Sequence, residues 1–158
     1  MNLTVICVGK LKEKFFRDAE AEYKKRLSRF CKLEIIEIPD EKIPDNASEN
    51  ECAQVLEKEG KKILSHIKDG TPIVAMCVEG SLISSEELSE LTSGFAMNSG
   101  RAAFIIGGSL GLYDEVKKRA GKRISFGRVT LPHQLMRVVL LEQLYRAFKI
   151  ANNESYHK

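Results

Sequence analysis

No apolar run in this chain approaches the ~20 residues that an α-helix needs to cross a bilayer, which argues against a membrane protein. The N-terminus lacks the basic-then-apolar pattern of a secretory signal, so the chain is expected to stay in the cytoplasm. Cysteine is sparse: Cys7, Cys31, Cys52 and Cys77 form no CxxC pair, and none has a histidine at metal-ligand spacing. Reduced thiols and no bound metal are expected, with Cys7 and Cys77 as small apolar residues on strands; a zinc site or a catalytic cysteine is the lesser alternative. Nucleotide fingerprints are missing too. Gly9-Lys10, after the first apolar run, does not develop into GxGxxG, and no Gly-Lys-Ser/Thr follows the later glycine cluster at P-loop spacing. Repeats, low-complexity tracts and a break between domains are also absent, so residues 1–158 read as a single domain.

What is present is an ordinary globular composition, 43% hydrophobic, with an uneven charge. Residues 116–158 hold ten Lys/Arg against two Asp/Glu; residues 1–115 hold fifteen against twenty. A basic C-terminal region beside an acidic remainder points to a polyanionic partner, of which nucleic acid is the usual one. Chance clustering on a solvated surface is the plainer alternative.

Short apolar runs alternate with amphipathic segments along the chain. Residues 3–8, 33–38, 73–78, 102–106 and 123–126 read as strands. Helices are expected over 12–30, where Phe15, Ala19, Tyr23 and Leu27 recur at steps of four, and from Ser48 to about Lys68. Others follow from Ser84 to about position 97, over 113–120 and over 132–150. Ser48 with Glu51, and Ser84 with Glu87, have capping-box spacing. Residues 40–47, polar and containing Pro44, form a loop expected to be mobile. The alternation predicts an α/β fold with a mainly parallel sheet flanked by helices. Ligands in such folds sit beyond the carboxyl ends of strands, here the loops after Val78, Ile106 and Phe126. In the second of these, Gly107-Gly108-Ser109-Leu110-Gly111 allows a backbone to approach a ligand closely; a tight turn is the plainer reading.

The stretch from Phe126 to Arg137 joins the last strand to the longest helix. Pro132 suits a first helical turn, and His133 and Arg137, at i and i+4, share one face near the helix N-terminus. A cation there is unfavourable unless a partner or ligand offsets it. Two solvated residues at a β-to-α corner would be the ordinary explanation. Farther along, Met136, Val139, Leu140, Leu144 and Phe148 make one apolar face, and Leu135, Val138, Leu141 and Tyr145 widen it around the helix. Such girth needs cover on two sides, one from the sheet and the other most simply from a second subunit.

Taken together, Val8-Gly9-Lys10, Glu37-Ile38-Pro39, Lys58-Glu59-Gly60, Ile106-Gly107-Gly108, Leu131-Pro132-His133, Arg137-Val138, Tyr145-Arg146-Ala147 and Tyr156-His157-Lys158 closely resemble the large-subunit ribosomal RNA methyltransferase H family. That family belongs to the SPOUT superfamily of trefoil-knotted methyltransferases. The resemblance implies a C-terminal knot, which periodicity alone could not show. It implies a homodimer that transfers a methyl group from S-adenosyl-L-methionine to N3 of a pseudouridine in large-subunit RNA of the assembled ribosome. By matching position, the cofactor site would comprise Met76, Gly107, Phe126, Gly127, Arg128, Val129, Thr130 and Leu131. Met76 replaces the leucine common there with an apolar residue of similar size.

On this reading His133 could take the imide proton, Arg137 could stabilise an oxyanion or hold phosphate, and His157 competes for the role of base. Arg128, Arg137, Tyr156 and Lys158 are the candidate RNA contacts, with the tail reaching the active site of the partner subunit. Two other classes are a small enzyme acting on a free nucleotide and a ribosome-binding factor without catalysis. Binding of S-adenosylmethionine separates the first reading from both.

Overall fold

The computed structural model describes residues 1–155; Tyr156, His157 and Lys158 lie outside the described residues. Strands and helices alternate as β1 (Asn2–Val8), α1 (Lys14–Leu27), β2 (Lys32–Ile38), α2 (Glu49–Ser65), β3 (Ile73–Leu82), α3 (Ser85–Asn98), β4 (Arg101–Ile106), α4 (Asp114–Arg119), β5 (Lys122–Ser125) and α5 (His133–Ala151). The strands form one sheet in the order β2-β1-β4-β3-β5, with every neighbouring pair parallel.

The period-two geometry of the strands sorts the core into two layers. Leu3, Val5, Cys7, Val74, Met76, Phe104 and Ile106 face Leu27 of α1, Leu88 of α3, and Leu140 and Leu144 of α5. Ile6, Val8, Ala75, Ala103 and Ile105 face Ile63 of α2 and Val116 of α4. The central strands are therefore apolar on both faces, which explains why they read as continuous runs. Both capping boxes form. Ser48 Oγ accepts from Glu51 N at 3.2 Å while Glu51 Oε2 accepts from Ser48 N at 2.7 Å. Ser84 and Glu87 do the same at 3.1 and 2.7 Å.

Three expectations need correction. The second helix stops at Ser65, short of Lys68. β3 continues to Leu82 instead of ending at Val78. Most of the wide apolar girth of α5 is covered within the chain, because α5 lies against both α1 and α3. Leu140, Leu141, Leu144, Ala147 and Phe148 are buried. Phe30 stacks on Phe148 at 5.6 Å between ring centroids, and Ser89 Oγ donates to Ala147 O at 2.7 Å. Leu135, Met136, Val138 and Val139, near the start of α5, remain half-buried.

Candidate active site

The site arises where the sheet comes apart at its carboxyl edge. β3 pairs with β4 as far as Met76–Ile106, and with β5 as far as Met76–Ile124. The β3–β5 register then breaks and resumes at Ser81–Ile124 and Leu82–Ser125. Residues 77–80 bulge from the ladder between these points. Gly80 lets the returning strand press against β5, since a Cβ there would lie 2.7 Å from the carbonyl carbon of Ile124 and 2.8 Å from its nitrogen. The glycine is required by that close approach, which a reading of the local sequence takes for the end of a strand.

Beside the bulge lies a cavity of about 600 Å³, walled by residues 76–79, the glycine turn at 107–112 and the segment from Ile124 to His133. Met76, Gly107, Phe126 and Gly127 line it, as do Val129, Thr130 and Leu131. Arg128 does not line it, and is exposed. Lys117 and Glu79, which the sequence did not single out, add an ion pair at 2.7 Å to the wall. The Lys117 hydrogen bond holds the Glu79 carboxyl below its usual range and raises the Lys117 ammonium above its own.

At Gly107 the plainer of the two readings, a tight turn, has a steric reason. A Cβ on it would lie 2.4 Å from the Gly111 carbonyl oxygen, so the vacant space belongs to the chain's own turn. Gly111, at φ +85°, closes that turn by donating its N–H to Gly108 O at 3.0 Å. Gly60 plays a related part, because a Cβ there would lie 2.5 Å from Tyr113, the residue that ends the glycine segment.

His133 and Arg137 both stand in the first turns of α5, but they face different surroundings. His133 lines the cavity. Its Nδ1 is buried and has no hydrogen-bond partner among the described residues. Burial holds the imidazole below its ordinary pKa; Asp40 opposes that, while Arg137 and Lys12 reinforce it. Arg137 is 1% exposed. Its Nη1 donates to Glu20 Oε2 at 3.1 Å and Glu37 Oε2 at 3.0 Å, and its Nη2 donates to Gly9 O at 2.8 Å. The cation expected to meet RNA phosphate or an oxyanion is thus committed inside the protein, and its RNA-contact assignment is corrected. The sequence could not show this, since the three partners come from α1, β2 and the turn after β1.

The remaining expectations sort by exposure. Cys7, Cys31 and Cys77 are buried and Cys52 half-buried, all as free thiols. Burial pushes the Cys7 thiol up to about 12, so it is no nucleophile at neutral pH. Among the described residues no cluster of His, Cys, Asp and Glu has the make-up of a metal site, and no helix is long and apolar enough to cross a membrane. His157, Tyr156 and Lys158, the tail candidates, lie outside the described residues. Glu59 was missed as a buried group. It is 6% exposed, accepts the Glu41 N–H at 3.2 Å, and has its carboxyl pKa raised by burial.

A mostly apolar cavity beyond the carboxyl ends of a parallel sheet, with a glycine turn on one wall and backbone groups on another, defines an α/β protein built to hold a small organic cofactor. Its volume lies inside the range of roughly 300–1,000 Å³ typical of such sites. Met76, Ile106, Leu112, Phe126, Val129 and Leu131 suit an adenine nucleoside, and the exposed backbone suits its polar edges.

The family described as a predicted SPOUT methyltransferase matches residues 1–157. "Ribosomal RNA large subunit methyltransferase H 1" of Clostridium perfringens (strain SM101 / Type A) is 58% identical, with all of both chains covered. "Ribosomal RNA large subunit methyltransferase H" of Clostridioides difficile (strain 630) is 52% identical, again over all of both. The solved structure of a probable methylase family protein from Haemophilus influenzae Rd KW20 has the same fold with a TM-score of 0.55. It is 12% identical, with 99% of this chain and 70% of that one covered. The chain belongs to the SPOUT methyltransferase family. It is an S-adenosyl-L-methionine-dependent methyltransferase, and the α/β fold expected from the alternation of strands and helices stands.

Proposed function

We propose that the protein methylates N3 of a pseudouridine in the large-subunit RNA of the assembled ribosome. It would do so in the cytoplasm, as a homodimer with one methyltransferase domain over residues 1–158. The observation that carries this reading is the cavity at the carboxyl edge, with His133 in its wall, in a chain 58% identical to a ribosomal RNA methyltransferase.

The cofactor supplies an activated methyl group, so the chain's own task is alignment and proton management. Phe126, Gly127, Val129, Thr130, Leu131 and the glycine turn would hold the donor, and Met76, Phe126 and Leu131 would shield it from water. An imide N3–H must lose its proton, and His133, kept neutral by burial, is suited to accept it. His157 remains the competing base. Arg137 acts beneath the site, tying α5 to Gly9, Glu20 and Glu37.

Exposed Lys118, Arg119, Lys122, Arg123 and Arg128, on and around α4 and β5, offer a cationic rim for the RNA backbone. Tyr156 and Lys158 would add to it from the tail. Half-buried Leu135, Val138 and Val139 support a partner subunit against the start of α5.

The test is methyl transfer from labelled S-adenosylmethionine to ribosomes lacking the modification, followed by nucleoside analysis, with calorimetry for the cofactor alone. Label in N3-methylpseudouridine is expected. Cofactor binding with label in another nucleoside would sink the substrate assignment, and no cofactor binding would sink the whole reading.

A further inference from the structure

The cavity is apolar along most of its wall, and its charge is gathered at one place. Among the described residues that line it, only Glu79 and Lys117 carry a full charge at neutral pH, and they pair at 2.7 Å. Two separate features bring them there. Glu79 lies in residues 77–80, which leave the β3–β5 ladder, and a bulge re-aims the side chains it carries. Lys117 follows Val116, which is fully buried in the layer that holds Ala75 and Cys77, so α4 is held against β3.

The pair joins sheet to helix at the cavity rim. The Glu79 side chain is 58% exposed and that of Lys117 25%. An ion pair so open to water adds little to folding, and an ordinary surface pair would do no more. What sets this one apart is the ligand its cavity serves.

S-adenosylmethionine is uneven in the complementary way. Its adenosine half is uncharged, and its methionine end bears an α-ammonium and an α-carboxylate on one carbon. Apolar Met76, Ile106, Leu112, Phe126 and Leu131 match the first half. A carboxylate and an ammonium side by side match the second, each offering a charge-assisted partner to one end of the zwitterion.

We propose that Glu79 and Lys117 form the subsite for the amino-acid end of the cofactor, Glu79 accepting from its α-ammonium and Lys117 donating to its α-carboxylate. This rests on the cavity being the cofactor site. The pair has no net charge, so it attracts a zwitterion without attracting ions of either sign. A nucleotide phosphate would gain Lys117 and meet the Glu79 carboxylate in the same place, which selects against it. The subsite thus separates S-adenosylmethionine from the adenine nucleotides that share its other half.

The experiment is calorimetry of the intact protein with three adenosine ligands. S-adenosylhomocysteine has the zwitterion without the sulfonium charge, methylthioadenosine has neither, and ADP has phosphate in place of the zwitterion. Lys117→Met and Glu79→Gln should each weaken S-adenosylhomocysteine about tenfold, the worth of one charge-assisted hydrogen bond in a partly wet site. Neither should change the affinity for methylthioadenosine, which also shows that the variants are folded. Glu79→Gln should strengthen ADP binding, and Lys117→Met should not. Equal losses for S-adenosylhomocysteine and methylthioadenosine would mean that the pair only shapes the cavity, and undiminished S-adenosylhomocysteine binding in both variants would mean that it faces water; either result overturns the proposal. ADP binding unmoved by Glu79→Gln overturns the selection against phosphate. S-adenosylhomocysteine binding that survives both pair variants but weakens in Val129→Asp sinks the subsite and keeps the cofactor in this cavity. Binding unmoved by Val129→Asp as well removes the cofactor from the cavity, and the subsite with it.

Discussion

Arg137→Ala separates a structural from a chemical role at the start of α5. The guanidinium is 1% exposed and has two carboxylates and one carbonyl as partners. Removing one partner of a buried ionic network typically costs ~3–5 kcal/mol, because the rest are left charged and uncompensated. Here the stranded groups are Glu20, with a side chain 19% exposed, and Glu37, at 38%. Both can take up some water, which places the expected loss near the lower end, about 3 kcal/mol. For a domain of this size that corresponds to roughly 6–12 °C in Tm. Urea denaturation and a thermal melt, alongside methyl transfer at a temperature where the variant is still folded, measure both effects. Adding Glu20→Gln and Glu37→Gln to Arg137→Met should recover part of the stability, since the stranded charges go with their partner. A variant that stays within 1 kcal/mol of the parent yet transfers no methyl group would refute the internal role and return Arg137 to the chemistry.

Val129 lines the cavity but is 71% exposed, so Val129→Asp should change stability by less than about 0.5 kcal/mol while weakening S-adenosylmethionine binding several-fold in calorimetry. Unchanged affinity would remove residues around 129 from the cofactor wall. Glu59→Gln tests the buried carboxyl. Burial raises its folded pKa, so the protonated form's contribution is present at acid pH and is lost as pH rises through the raised value. Gln cannot ionise, and the variant should be about 0.5–1 kcal/mol more stable than the parent at pH 7, with the advantage vanishing near pH 4; a loss at both pH values would mean that the charge is used. Deleting residues 155–158 should leave folding and cofactor binding intact and abolish methyl transfer, and mixing the deletion with a cavity variant that no longer binds the cofactor should restore one site per heterodimer. Full activity in the deletion alone would dismiss the tail.

The strands were legible because central strands covered on both faces must be continuously apolar where they are buried, as residues 5–8 of β1, 73–77 of β3 and 102–106 of β4 are. Both capping boxes were legible because their partners are three residues apart. The cover of α5 was not. Its breadth called for two surfaces, and the second turned out to be α1 and α3, whose approach depends on the whole topology. The bulge in β3 was hidden for a similar reason: Gly80 looks like a terminator until the Ile124 backbone is beside it.

At the site, the composition of the cavity was readable while the charge network beneath it was not. His133 and Arg137 looked alike as polar residues one turn apart, and only their partners distinguish them. Those partners, Glu20 and Glu37, stand 117 and 100 positions away from Arg137. Gly9 draws the pieces together. Its carbonyl binds Arg137, its N–H binds the end of β2, and its bare Cα admits the His133 ring and the Asp40 carboxylate. At φ +94° it also holds a conformation that L-residues seldom adopt. One glycine thus joins the cation that anchors α5 to the imidazole that faces the cavity. By local pattern alone it is the residue that fails to begin a nucleotide fingerprint, because its value lies in what approaches it from three distant segments.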